Sequence, residues 1–131
     1  IQLGDTMGKP IMEQVADAKA VVPAIGADEV KGMLGRDDVL IVDVRDGTEV
    51  AASGKVKGAV HASRGVIEFQ ADPASPMHKP EFSTDKTVIV YCASGGRSAL
   101  AGKALKDLGY SDVRNVGGFA GWVEAGGEVE K

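Results

Sequence analysis

Cysteine is nearly absent from this chain: among its 131 residues there is one, Cys92. No disulfide can close within a single chain, and no cysteine-based metal cluster can be assembled there. Runs of basic residues are missing as well. Fifteen Lys and Arg against 19 Asp and Glu give a formal net charge of -4, the basic residues are scattered, and without a basic stripe no nucleic-acid partner is expected. Long apolar stretches are also lacking. The longest, Val39 to Val42 and Val88 to Tyr91, fall far short of the roughly 20 residues that cross a bilayer, so no membrane span is expected. The chain has no internal repeat and no low-complexity tract.

What remains is ordinary: 44% hydrophobic and 26% charged residues, near the averages of soluble globular proteins, in a length suited to one core between two or three layers. The expected compartment is the cytoplasm. Because the chain begins at Ile1 and not at Met, a removed leader stays open.

Residues 1–23 read as an N-terminal extension. Pro10 to Ala20 is weakly helical, with Ile11, Val15 and Ala18 at helical spacing, and Pro23 closes it. The domain proper, residues 24–131, alternates two kinds of segment. Val39–Val42, Ala59–His61, Thr87–Tyr91 and Asp112–Asn115 are short runs, several rich in β-branched residues, of the kind that form strands buried on both faces. Ala27–Leu34, Thr48–Ala52 and Ser98–Leu108 read as helices, the last with an apolar face of Leu100, Ala101, Ala104, Leu105 and Leu108 and a Gly109 stop. Such alternation predicts an α/β fold with a mostly parallel sheet covered on two sides. Ligands in such sheets bind beyond the carboxyl ends of the strands, which points to whatever follows Tyr91. Three X-Pro pairs, Asp72-Pro73, Ser75-Pro76 and Lys79-Pro80, mark a long loop over 71–86 after a short helix from Gly65 to Gln70.

Cys92 sits between that strand and the next helix. A free thiol has a pKa of about 8.5 and is a weak nucleophile until something stabilises the thiolate. Ala93, Ser94, Gly95 and Gly96 carry little bulk, and the glycines let backbone N–H groups turn inward. With the positive end of the following helix they form an anion cradle for a thiolate and for a bound oxyanion. Arg97 adds a fixed charge, either facing substrate or pairing with a carboxylate to shape the loop.

Cys92 to Arg97 acquires meaning beside other segments: Val42-Asp43-Val44-Arg45 at a strand end, Gly58-Ala59-Val60-His61, and Asn115-Val116-Gly117-Gly118-Phe119-Ala120-Gly121-Trp122. In order and spacing these resemble the signatures of the rhodanese-like family over about residues 24–127, with single-domain thiosulfate sulfurtransferases as the nearest likeness. The resemblance implies a three-layer fold with a central five-stranded parallel sheet and helices on both faces. It implies Cys92 as the catalytic residue, carrying sulfane sulfur as a persulfide from thiosulfate or a persulfide donor to a thiol or cyanide, with no metal and no organic cofactor. Ala93, Ser94, Gly95, Gly96 and Arg97 would bind substrate, and Arg64 would attract an anion at the rim unless it is an ordinary solvated arginine. Asp43, bracing the loop or Arg97, Arg45, bonding a carboxylate such as Glu49, and Ser98 would support the site. His61 reads as a packed histidine, His78 as solvent-facing, and Trp122 and Phe119 as anchors of the last helix. After Glu49 the family often carries Gly-His, where this chain has Gly54-Lys55-Val56.

The expected partners are thus a small anionic sulfur donor and a thiol or cyanide acceptor. Two other readings stand beside this one. One is a non-catalytic or partner-dependent module that delivers persulfide to a sulfur-relay protein. The other is a phosphatase or arsenate reductase, whose loops resemble this one but hold one residue more.

Overall fold

The computed structural model describes residues 8–131; residues 1–7 of the expected extension lie outside the described part. In chain order the elements are α1 (Ile11–Val21), α2 (Ala27–Lys31), β1 (Val39–Asp43), α3 (Gly47–Ser53), β2 (Lys55–Val56), β3 (Val60–His61), α4 (Ile67–Ala71), β4 (Thr87–Cys92), α5 (Gly96–Asp107), β5 (Asp112–Gly118), α6 (Phe119–Glu124) and β6 (Val129–Glu130). Four strands form a parallel sheet in the order β3-β1-β4-β5. The fifth position is taken by a single parallel bridge, Ala24 to Asn115. It consists of Asn115 N–H donating to Pro23 O (2.8 Å) and Ile25 N–H donating to Asn115 O (3.1 Å). Pro23 has no N–H to extend the ladder, and α2 starts directly after Gly26. An antiparallel pair, β2 with β6, lies apart from the main sheet. At two residues each, these strands are too short to leave an alternation in the sequence.

Strand parity places the site. On β1 and β4, Leu40, Val42, Val88, Val90 and Cys92 face one layer, built from Ile67 and Ala71 of α4 and Ala101 and Leu105 of α5. Ile41, Ile89 and Tyr91 face the other, with Val30 of α2 and Trp122 of α6. Both faces are dry, which is why these strands read as continuous apolar runs. Since side chains alternate across a strand, Cys92 falls on the α5 face and its neighbour Tyr91 on the opposite one.

The buried side of α5 is Ser98, Ala99, Ala101, Gly102 and Leu105, a stripe shifted from the one expected. The shift comes from α1, whose Val15 and Ala18 pack on Ala99 with Leu100 beside them. The 71–86 stretch is pinned by Phe82, 1% exposed, which meets Tyr110 edge-on at 6.5 Å between ring centres. His78 is half-buried and its Nε2 contacts Phe82 O at 3.0 Å, so it does not face solvent as expected.

Candidate active site

Cys92 ends β4 and α5 begins four residues later, so the chain must reverse within Ala93–Gly95. Gly95 makes that possible with φ 102°, a left-handed backbone that side chains disfavour. The reversal aims donors at sulfur. Gly95 N–H donates to Cys92 Sγ at 3.0 Å, and the Ser98 hydroxyl lies 3.5 Å from the same atom. Cys92 is fully buried. Burial by itself drives the thiol pKa up, but the Ser98 hydroxyl and the backbone N–H groups of Ser98, Gly95 and Ser94 outweigh it, leaving the thiol below its ordinary value. A buried thiol shifted toward its charged form beside a helix start has surroundings that suit a nucleophile.

The loop is held from β5. Asn115, 8% exposed, donates through Nδ2 to Gly95 O (3.1 Å) and accepts at Oδ1 from Gly117 N–H (2.9 Å) and the Ser98 hydroxyl (2.9 Å). A hydroxyl has one proton. When Ser98 turns it to sulfur, Asn115 Oδ1 keeps the Gly117 donor. Gly118 lets the two segments touch: a Cβ there would stand 2.5 Å from Ala93 O. Asn115 and Gly118 were legible as part of a motif, and a polar residue inside a strand with a buried face was the signal that Asn115 needed partners.

Two ion pairs form here, one buried on the Tyr91 face and one at Arg97, and the partners of Asp43 and Arg45 are not those expected. Asp43 meets neither the loop nor Arg97. Its carboxylate takes Arg45 Nη2 (2.7 Å) and the Tyr91 hydroxyl (2.7 Å), because parity puts Asp43 on the Tyr91 face, away from Cys92. Arg45 accordingly bonds Asp43, the Ser53 hydroxyl (2.8 Å) and Gly54 O (2.6 Å), not Glu49. Its guanidinium lies 4.3 Å from the Phe119 ring centre. Phe119 stacks on Tyr91.

Glu49 belongs to Arg97 instead, in a two-pronged pair of 2.6 and 3.0 Å. Hydrogen bonding to Arg97 and then to the Asp46 N–H holds the Glu49 carboxyl down at about 2. The same partner raises the Arg97 pKa. Glu49 also serves the start of α3, where its Oε1 accepts from Asp46 N–H at 3.1 Å.

Arg64 pairs with Glu68 at 2.7 Å and lines a cleft beside α1 and α5 that includes no residue of the Cys92 loop. His61 Nε2 contacts Arg45 O at 2.7 Å, the packed role expected. Lys55 pairs with Glu130 across β2 and β6. Trp122 is buried and donates to Glu128 O. Among the described residues no His, Cys, Asp and Glu side chains gather as a metal site, and no helix is long and apolar enough to cross a membrane.

Comparison with known proteins agrees with this geometry. Residues 26–125 match the family described as rhodanese-like domain. A sulfurtransferase from Allochromatium vinosum is 34% identical over 91 residues, covering 69% of this chain and 77% of its own. Among solved structures, a protein of unknown function from Rhodopseudomonas palustris, described as a possible tyrosine phosphatase, superposes with a TM-score of 0.87 at 38% identity, over 95% of this chain and 97% of its own. The polysulfide-sulfur transferase homodimer of Wolinella succinogenes gives 0.73 at 30% identity, over 99% and 93%.

Proposed function

Since the chain belongs to the rhodanese-like family of sulfurtransferases, we propose that it moves sulfane sulfur from thiosulfate or a persulfide donor to a thiol or cyanide, with Cys92 as the carrier. In the first step the Cys92 thiolate attacks the outer sulfur of the donor. With thiosulfate the new bond is Sγ–S, the old sulfur–sulfur bond breaks, and its electron pair leaves with sulfite. In the second step the acceptor attacks the terminal sulfur and the pair returns to Sγ, a double displacement through a covalent intermediate. A thiolate attacking sulfane sulfur abstracts no proton, so the step needs no general base beside Sγ.

The observation that carries the reading is the buried Cys92 Sγ, facing Gly95 N–H and the Ser98 hydroxyl at the start of α5. The same donors suit a persulfide anion. The Wolinella relative, a polysulfide-sulfur transferase, supports sulfane sulfur as the cargo. Incubation with thiosulfate followed by intact mass measurement tests it. The wild type should gain one sulfur atom, Cys92→Ser should not, and added cyanide should release thiocyanate. A wild type that gains nothing and yields no thiocyanate overturns the reading.

The Rhodopseudomonas neighbour, described as a possible tyrosine phosphatase, favours a second reading, phosphate ester hydrolysis. Against it stand the four residues between Cys92 and Arg97, one fewer than in the phosphatase loops it resembles, and the pairing of Arg97 Nη1 and Nη2 with Glu49. Cys92-dependent hydrolysis of an aryl phosphate would reverse this order.

A further inference from the structure

Arg97 is the only cation in the segment Cys92–Ser98, and Glu49 neutralises it. The pair is held at two points, Nη1 to Oε1 at 2.6 Å and Nη2 to Oε2 at 3.0 Å. A guanidinium has five N–H groups, so what the pairing removes is net charge and not every donor. Asp46, exposed at the start of α3, adds a second carboxylate whose field also reaches Arg97. Other cations near the strand ends do not replace the lost charge. Arg45 is buried with Asp43 on the opposite face of the sheet, and Arg64 is paired with Glu68 in a cleft that no residue of the Cys92 loop lines. Lys19, across a cleft from Ser94 and Gly95, is exposed, and water and salt screen its field. The groups that do face Sγ, Gly95 N–H and the Ser98 hydroxyl, are neutral dipoles.

We propose that Glu49 sets donor specificity: by neutralising Arg97 it suits Cys92 to sulfane donors of low charge, alkyl thiosulfonates and hydropersulfides, at the expense of the thiosulfate dianion. The inference rests on the sulfur-transfer reading and extends it to the class of donor. Charge is the quantity that separates these donors. The attacking Cys92 thiolate already carries one negative charge. Thiosulfate brings two more, an alkyl thiosulfonate brings one, and a neutral hydropersulfide brings none. In each case a bond forms between Sγ and the sulfane sulfur, the old sulfur–sulfur bond breaks, and its electron pair leaves on sulfite, sulfinate or thiolate respectively. The hydropersulfide proton stays on the transferred sulfur, and no oxidant or reductant enters. An unpaired arginine at this distance would offset the extra charge of thiosulfate, whereas one already matched by a carboxylate offsets little of it. Glu49 acts through Arg97 and not on the reacting atoms, which makes it a positioning residue.

The test compares turnover to cyanide from thiosulfate and from methanethiosulfonate, two donors of nearly equal size that differ by one charge. Measured against the same two donors reacting with free mercaptoethanol, the wild type should favour methanethiosulfonate, and a preference for thiosulfate overturns the inference. Between variants, the ratio of the two kcat/KM values cancels both intrinsic reactivity and the path to Sγ, which the donors share. Glu49→Gln keeps the shape of the side chain and removes its charge. It should shift the ratio about fivefold toward thiosulfate at low salt, an effect that shrinks as salt is added. Glu49→Asp keeps the charge and should stay near the wild-type ratio, whatever stability it loses. Adding Arg97→Gln to Glu49→Gln should abolish the shift, because the shift needs the guanidinium. A glutamate that only holds the loop in shape would slow both donors alike and leave the ratio unmoved, which overturns the inference but not the sulfur-transfer reading. So does an equal shift in Glu49→Asp and Glu49→Gln, which would assign the effect to geometry and not to charge. A wild type that takes sulfur from neither donor, nor from a hydropersulfide, overturns both.

Discussion

Among single residues, Ser98 exerts the strongest pull on the Cys92 thiol toward its charged form, opposing burial. Ser98→Ala should raise the thiolate midpoint, read from ultraviolet absorbance against pH, and Ser98→Thr should bring it back. The accompanying stability change has a definite sign. A thiol whose folded pKa lies below its unfolded value contributes stability that is present above the unfolded pKa and lost as pH falls through the folded one. The deficit of Ser98→Ala should therefore be largest at alkaline pH. A midpoint that does not move would leave the backbone N–H groups as the sole support of the thiolate.

Glu49 follows the same logic in the acid range. Its carboxyl drops from 4.5 to about 2 through Arg97, so the pair stabilises the fold above pH 4.5 and loses that contribution as pH falls toward 2. The two side chains are about a third exposed, and solvent screening limits the pair to about 1 kcal/mol. Glu49→Gln should lose roughly that amount at neutral pH in urea titrations and flatten the acid limb of the stability profile. An acid limb unchanged from wild type would refute the pairing.

For the elements, the decisive contact is between the Cys92 loop and the end of β5. A methyl on Gly118 would press on the Ala93 carbonyl, which is backbone and cannot rotate away. Overpacking of this kind costs about 1–3 kcal/mol, and here the strain falls on the loop that carries the donors. Gly118→Ala should lose stability in that range and form little persulfide. Gly121→Ala, where nothing lies within 4 Å, should be neutral or gain up to about 1 kcal/mol from helix propensity. Equal behaviour of the two variants would show that the close approach is unimportant. The helix α1 belongs to the same assembly, since Val15 and Ala18 bury the outer side of α5 at Ala99.

Across the whole molecule, the layer opposite Cys92 is organised by charge. Asp43 and Arg45 are 0% and 3% exposed, and Tyr91 joins them by donating to Asp43 and accepting from Val56 N–H at 2.9 Å. This ties β1, β4 and the β2–β6 ribbon together. Removing one member of a buried pair strands the other charge, at about 3–5 kcal/mol. Asp43→Ala should show that loss in denaturant titrations while the folded fraction still forms the Cys92 persulfide. A variant of wild-type stability that cannot form persulfide would place Asp43 in the chemistry instead.

The residue pattern alone determined the alternation of strands and helices, because apolar runs and a helical stripe are local properties of the chain. It also singled out Cys92 as the candidate nucleophile, because a cysteine between a strand end and a glycine-bearing helix start is a local arrangement too. Which acid meets which arginine was beyond it. Asp43, Arg45, Glu49 and Arg97 can be paired in more than one way on paper, and only the side of the sheet on which each falls makes Asp43 the partner of Arg45 and Glu49 the partner of Arg97. The bridge at Ala24, the short β2–β6 pair and the support of Gly95 by Asn115 are likewise contacts between distant segments. Such contacts exist only once the chain has packed, since nothing in a strand's own sequence names the residue that will lie beside it.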